Sequence, residues 1–259
     1  MHKMWWWLGT CAALQGAAAP VMAAQACSGK SPAHSVALLE LYTSEGCDSC
    51  PPADQYVSGL RAAGVAPGQA VLLSLHVDYW NYIGWKDPYS RAAFTERQRW
   101  LSNLAGSHTI YTPEIFLAGR ELRGGTSGWS ASLPAAVRRI NQTPAQADIS
   151  IVLGQAGASG LPVEVKASAA RGGTLYVALT ESGVASQVTA GENRGRTLKH
   201  DFVVREWLAP VELGHDGKAA LSRALSIPPG AVGRNLGISA FVQSERGEVL
   251  QAFSQGVCL

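Results

Sequence analysis

Residues 38–52 read LLELYTSEGCDSCPP. Leu38, Leu39 and Leu41 make an apolar strand, residues 43–46 a polar corner, and two cysteines then stand two residues apart ahead of a segment with helical spacing. The order is strand, turn, helix. Pro51 suits the first helical position, where its missing N–H costs nothing, which sets Cys47 and Cys50 at the positive end of the helix dipole and favours thiolate over thiol. A Cys-x-x-Cys pair there is suited to cycling between dithiol and disulfide. The same spacing also serves structural bridges and metal sites, so the residues alone leave three uses open.

Working outward, residues 35–43 form an almost unbroken β-favouring run, as expected of a central strand covered on both faces. Ala53, Tyr56, Val57 and Leu60 recur at helical spacing until Gly64 and Pro67 end the helix, and residues 70–77 (AVLLSLHV) are a second buried strand. Strand, helix, strand at this length predicts a parallel crossover unit. An aromatic connection, residues 78–88 (DYWNYIGWKDP), leads to a helix capped by Asp87, with Pro88 first, running to about Leu104. After Thr112 and Pro113 come short strands at 114–117 and 120–123 in an antiparallel hairpin, then a helix carrying Leu133, Val137 and Ile140, with Pro134 in its first turn.

Beyond a linker at 141–147 (NQTPAQA) the pattern changes to strands at 149–153, 162–167, 174–180, 197–207, 218–225, 236–243 and 249–254, separated by turn clusters. Seven strands over this length predict an antiparallel sandwich of immunoglobulin type spanning residues 148–259. The division expected is therefore a leader over 1–26, an α/β domain over 33–143 and the sandwich. No catalytic motif is legible in the second half. His200 and His215 lack ligand spacing, and no metal site is expected there.

At 259 residues, 47% hydrophobic and 15% charged, the chain has the composition of a globular protein, and 21 basic against 19 acidic side chains give no electrostatic case for nucleic acid or an anionic membrane as partner. Lys3, the apolar run from Trp5 and the small residues Ala23, Ala24 and Ala26 read as a secretory leader, with no other segment long and apolar enough to span a bilayer. Secretion, most naturally to a bacterial periplasm, leaves Cys27, Cys47, Cys50 and Cys258 in an oxidising compartment. Of three connectivities, the favoured one pairs Cys47 with Cys50 and Cys27 with Cys258, the latter tying the chain ends for a stabilisation of about 4–5 kcal/mol on the loop-entropy estimate.

The first half resembles the thioredoxin fold: Cys47 and Cys50 open the first helix, and Thr112 and Pro113 stand at the strand start that faces it. The resemblance implies a cis Pro113, with Thr112 receiving the substrate backbone beside the disulfide. More narrowly, TSEGCDSCPPAD (43–54), HVDYW (76–80) and YTPEIF (111–116) are similar to an uncharacterised family of secreted bacterial proteins that join a thioredoxin-like domain to a C-terminal β domain.

This half departs from the thioredoxin pattern in having Glu45-Gly46 where a Trp usually precedes the first cysteine, and Asp48-Ser49 between the cysteines. A carboxylate about 6 Å from a thiolate costs roughly 1–3 kcal/mol against a helix-end benefit of about 0.3–2 kcal/mol, so Cys47 is expected to be only weakly acidified. Pro51 disfavours a helical Cys50 and is expected to push it outward. Asp78 is a candidate acid or base for Cys50 or a loop cap, and His76, Glu45 and Glu114 are nearby candidates. Trp80, with Tyr79, Tyr82 and Trp85, forms either a lip for unfolded polypeptide or packing against the second domain. The function expected is a cofactor-free thiol–disulfide oxidoreductase acting on protein thiols and disulfides, with Cys47 as nucleophile, Cys50 as resolver and an unidentified electron donor or acceptor. The alternatives are a copper-handling protein using Cys47, Cys50 and His76, and a binding module with a structural disulfide.

Overall fold

The computed structural model describes residues 1–2, 27–157 and 159–258, so the leader expected over 1–26 lies outside the described residues apart from its first two positions. The first half runs β1 (Cys27–Lys30), β2 (Ala37–Thr43), α1 (Pro51–Gly59), β3 (Ala70–His76), α2 (Ala92–Leu104), β4 (Glu114–Leu117), β5 (Arg120–Glu121) and α3 (Gly125–Asn141). The second, apart from a 3-10 turn at Gly233–Asn235, is strand: β6 (Ala147–Leu153), β7 (Leu161–Ala169), β8 (Thr174–Glu181), β9 (Val184–Gln187), β10 (Thr197–His200), β11 (Val203–Trp207), β12 (Val211–Glu212), β13 (Lys218–Leu225), β14 (Leu236–Gln243) and β15 (Val249–Gly256). None of the described helices is long and apolar enough to cross a membrane.

One sheet runs through both halves in the order β15-β14-β8-β11-β3-β2-β4-β5, with β12 beside β8; a second sheet, β1-β6-β7-β13, and the hairpin β9-β10 complete the described strands. β2 is parallel to β3 from Ala37↔Ala70 to Thr43↔His76 and antiparallel to β4 with Tyr42 opposite Glu114. The ends of three strands therefore meet at the edge from which the cysteine loop leaves. The halves join where β3 runs parallel to β11 at Ser74↔Val203. There the Ser74 N–H donates to Phe202 O at 2.9 Å and the Ser74 hydroxyl to Asp201 O at 2.9 Å.

Every residue of β2 is buried, and its alternation divides the core. Leu39 and Leu41 pack with Val57 of α1 and Trp129, Leu133 and Val137 of α3. Leu38 and Tyr42 pack on the other face with Phe94 and Leu101 of α2 and with Val204, Phe241 and Ala252 from the second half. A third core fills the space between the two sheets. Glu40, on the Leu38 face, accepts from Arg97 Nε at 2.5 Å and Nη2 at 3.0 Å, and the same Nη2 donates to Gln243 Oε1 at 2.9 Å. The guanidinium lies among the rings of Tyr176, Phe241, Trp207 and Trp100 at 4.8–5.8 Å.

Several boundaries differ from expectation. α2 begins at Ala92 because the Asp87 carboxylate is held elsewhere and Arg91 stays extended (φ −142, ψ 139), donating its N–H to His76 O. α3 starts at Gly125, behind the positive-φ pair Gly124 and Gly125, which leaves Pro134 in the helix interior rather than its first turn. The expected strand at 120–123 is only β5, and the run at 197–207 breaks at Phe202, whose φ of 58 lies in the left-handed region. β1, β9 and β12 were not expected.

Replacing Arg97 with Met removes the only cationic partner, among the described residues, of the fully buried Glu40 carboxylate, and unfolding in denaturant is expected to show a loss of about 3–5 kcal/mol. Adding Glu40→Leu to that variant is expected to recover most of the loss, because no buried charge then remains unpaired.

Candidate functional site

Cys47 and Cys50 are joined in a disulfide with Cα atoms 5.5 Å apart, and Cys27 is joined to Cys258. The Cys50 N–H donates to Cys47 O at 3.3 Å, while Cys50 O accepts from Ala53 N and Asp54 N. These bonds hold Cys50 in the helical region (φ −77, ψ −39) as the residue preceding α1. The expectation that Pro51 would push it outward is thus overturned: both cysteines are 0% exposed. The Ser49 hydroxyl lies 3.3 Å from Cys47 Sγ. On the facing side, Thr112 O is 3.9 Å from the same sulfur, the Thr112–Pro113 bond is cis, and Trp80 Nε1 donates to Thr112 Oγ1 at 2.7 Å. Four of the expected residues, Cys47, Thr112, Pro113 and Trp80, are therefore brought together. Asp78 is engaged otherwise, accepting from the Thr95 hydroxyl at 2.6 Å, and has no hydrogen bond to either cysteine. It ties the start of the aromatic connection to α2.

A strap from the second half closes the site. Residues 188–196 bridge β9 and β10 and are pinned by Val188 N to Arg196 O and Gly195 N to Val188 O. Asn193, fully buried, donates through Nδ2 to Glu45 O at 2.9 Å and to Cys47 O at 2.8 Å, and its own oxygen accepts from Arg196. Glu192 accepts from the Asp48 N–H at 3.0 Å. Gly191, at φ +71, approaches so near that a Cβ there would stand 3.0 Å from Ile83 Cδ1, so the strap seats on the aromatic connection. Trp85 of that connection donates to Glu45 Oε2, whereas Tyr82 is largely exposed.

Below the cysteine loop lies a buried polar cluster of which sequence reasoning singled out His76 and Glu45 but missed Asp54, Asp87 and His200 as members. Asp87 Oδ2 accepts from Glu45 N at 2.8 Å and lies 2.7 Å from His76 Nδ1. His200 Nε2 is 3.1 Å from Glu45 Oε1, and the two imidazoles meet edge to face at 4.9 Å. Asp54 Oδ2 accepts from the Thr43 hydroxyl at 3.0 Å. Burial works against the ionised Asp87, but the His76 charge and the N–H groups of Glu45 and Tyr89 hold its carboxyl below the usual range. Burial likewise lowers His200, yet the close approach of Asp54 at 3.6 Å and the hydrogen bond and charge of Glu45 outweigh it and raise its pKa to about 9. Asp54, His76 and His200 each offer one potential metal-ligating atom within 4.8 Å of the others. The signal available in sequence was a histidine on the buried parity of β10, 124 positions from His76.

Glu114, directly after Pro113, is buried rather than solvated. Its Oε2 accepts from Gln98 Nε2 at 2.6 Å, and burial, reinforced by Glu121, raises its pKa to about 7 although Gln98 opposes the shift. A surface concavity of about 780 Å³ over β6, β7 and β13 contains none of these residues.

Residues 38–243 match the family described as protein of unknown function (DUF1223), and the chain belongs to that family. No curated protein matches it. Among solved structures it is similar to protein AGR_C_4864 from Agrobacterium tumefaciens, at 24% identity and TM-score 0.60, covering 86% of this chain and 95% of that one. It is also similar to HBP35 of Porphyromonas gingivalis, at 13% identity and TM-score 0.64, covering 86% and 76%. At these identities the likeness is one of fold.

Two outcomes follow from the geometry. Asn193→Ala deletes two buried hydrogen bonds of about 0.5–1.5 kcal/mol each, so opening of the strap becomes cheaper. Reduction of Cys47–Cys50 by a small dithiol, followed by thiol labelling, is expected to quicken about 5- to 100-fold. Glu114 has a folded pKa above its unfolded value, so its protonated form favours the fold. Its contribution is present below about pH 4.5 and is lost as pH rises through about 7. Glu114→Gln is expected to flatten that decline in denaturation midpoints measured from pH 4.5 to 8.

Proposed function

We propose that this member of the DUF1223 family is an exported thiol–disulfide oxidoreductase in which Cys47 and Cys50 exchange two electrons with protein thiols and disulfides. On this reading residues 33–143 form a thioredoxin-like unit and residues 148–259 an immunoglobulin-like sandwich. The observation that carries it is the disulfide at the start of α1, with Cys47 Sγ 3.9 Å from the carbonyl of Thr112 ahead of cis Pro113. That arrangement sets a sulfur beside a backbone edge able to hold an extended peptide. A second bridge, Cys27–Cys258, supports export, since such bonds persist in oxidising compartments.

The exchange begins when the strap lifts, because the sulfurs are enclosed. A substrate thiolate attacks Cys47 Sγ, the Cys47–Cys50 bond breaks, and Cys50 leaves as a thiolate that takes up a proton. A second substrate thiolate then attacks the substrate sulfur of the mixed disulfide and releases Cys47. The substrate leaves oxidised by two electrons and the protein holds a dithiol; the reverse sequence reduces a substrate disulfide. Thr112 and Pro113 receive the substrate backbone, with Trp80 fixing the Thr112 side chain. Asp48 and Glu192 set carboxylates at the helix start, which opposes thiolate formation and favours a mildly oxidising disulfide.

Cys50→Ala removes the resolving sulfur, so the variant expressed with its leader is expected to accumulate mixed disulfides through Cys47. These should appear as dithiothreitol-sensitive bands on non-reducing gels and vanish when Cys47 is also replaced. A variant that folds, is exported and traps no protein, alone or with Asn193→Ala to free the strap, overturns this reading.

A further inference from the structure

Three side chains converge below the cysteine loop with one buried atom each left without a hydrogen-bond partner: Asp54 Oδ1, His76 Nε2 and His200 Nδ1. All three residues are at most 5% exposed. We propose that these atoms form a three-ligand site for a divalent transition-metal ion, with zinc the ion its donors fit best.

The geometry of the second layer supports this. His76 turns its other nitrogen, Nδ1, to Asp87 at 2.7 Å, and His200 turns Nε2 to Glu45 at 3.1 Å. A carboxylate that accepts the N–H of one ring nitrogen orients the ring so that the other nitrogen can serve as a ligand; on His200 the incoming ion displaces the Nδ1 proton, which leaves to solvent. The Thr43 hydroxyl holds Asp54 Oδ2 in the same way and leaves Oδ1 free. His200 Nδ1 and Asp54 Oδ1 are 3.6 Å apart, close to the roughly 3.3 Å between ligands on a tetrahedral ion with bonds of about 2.0–2.1 Å. His76 joins them, each of the three residues having a possible ligand atom within 4.8 Å of those of the other two.

Charge points the same way. Glu45, Asp54 and Asp87 are all buried, and none is paired with Lys or Arg among the described residues; their ionic partners are the two histidines. A divalent cation held by neutral imidazoles places two positive charges at a single point among the three enclosed carboxylates. Imidazole and carboxylate donors suit zinc, and the sulfurs nearby are occupied in their own bond. A cavity of about 200 Å³ between α1 and β10, lined by Asp54 and His200 together with Pro51, Gln55 and Lys199, provides entry and room for a solvent ligand at a fourth position. The proposal stands apart from the redox reading, since it uses neither cysteine.

The test uses the chain with both disulfides intact, stripped with chelator and then titrated with zinc chloride by calorimetry and with cobalt(II) by visible absorption. One ion per chain is expected, with the intense ligand-field bands of low-coordinate cobalt, and a melting temperature that rises with zinc concentration. Asp54→Asn and His200→Gln are each expected to weaken zinc at least about 100-fold, and Glu45→Gln about 10- to 100-fold through the outer layer. Circular dichroism identifies any variant that fails to fold, and the cobalt spectrum of the unmodified chain then decides alone. No stoichiometric uptake, a cobalt spectrum like that of the aqueous ion, or affinity unchanged across folded variants would each overturn the proposal.

Discussion

The parallel junction between β3 and β11 is the constraint on which the site depends. It is short, a single register pair at Ser74 and Val203 supported by two bonds from Ser74. Yet it sets β10 and the strap over the ends of β2 and β3, where the cysteine loop departs. Without it His200 would not meet His76, and Asn193 would not reach the carbonyls of Glu45 and Cys47. The site is therefore made by both halves of the chain.

Packing enforces the same union. Arg97 is satisfied only when β2 supplies Glu40, β14 supplies Gln243 and rings from β8, β11 and β14 surround it. A guanidinium so enclosed is costly in any arrangement that leaves a partner out, which penalises alternatives in which the halves separate or slip. The core on that face draws Leu38 and Phe94 from one half and Val204, Phe241 and Ala252 from the other, so the polar segment between α3 and β6 joins parts of one continuous sheet.

How much of this was legible in the sequence depends on the range of the interaction. The β2–α1–β3 order and both disulfides were legible, because apolar runs and cysteine parity carry local or countable signals, while the juxtaposition of Cys47 with Thr112 was expected only from the resemblance to the thioredoxin fold. Asp87 misled, since a residue suited to capping a helix was recruited by His76 and Glu45 instead. The run at 197–207 looked continuous because nothing in an apolar alternation announces that Phe202 will take positive φ to serve the core on the α1 side. Pairings across the halves, such as His200 with Glu45 and Asn193 with Cys47, have no sequence periodicity to report them. The buried state of Glu45 and Glu114 was hidden for the same reason: acids are usually solvated, and only tertiary partners reverse that.

The bond between Cys27 and Cys258 spans 231 positions and ties β1, in the second sheet, to the segment just after β15, in the first. During synthesis β1 emerges long before β6, the strand it pairs with, and longer still before the thiol it must capture. The covalent tie of β1 can therefore close only after Cys258 has been made. A ribosome making this chain from its N-terminal side releases β1 well before the cysteine, 231 positions further on, that will clasp it.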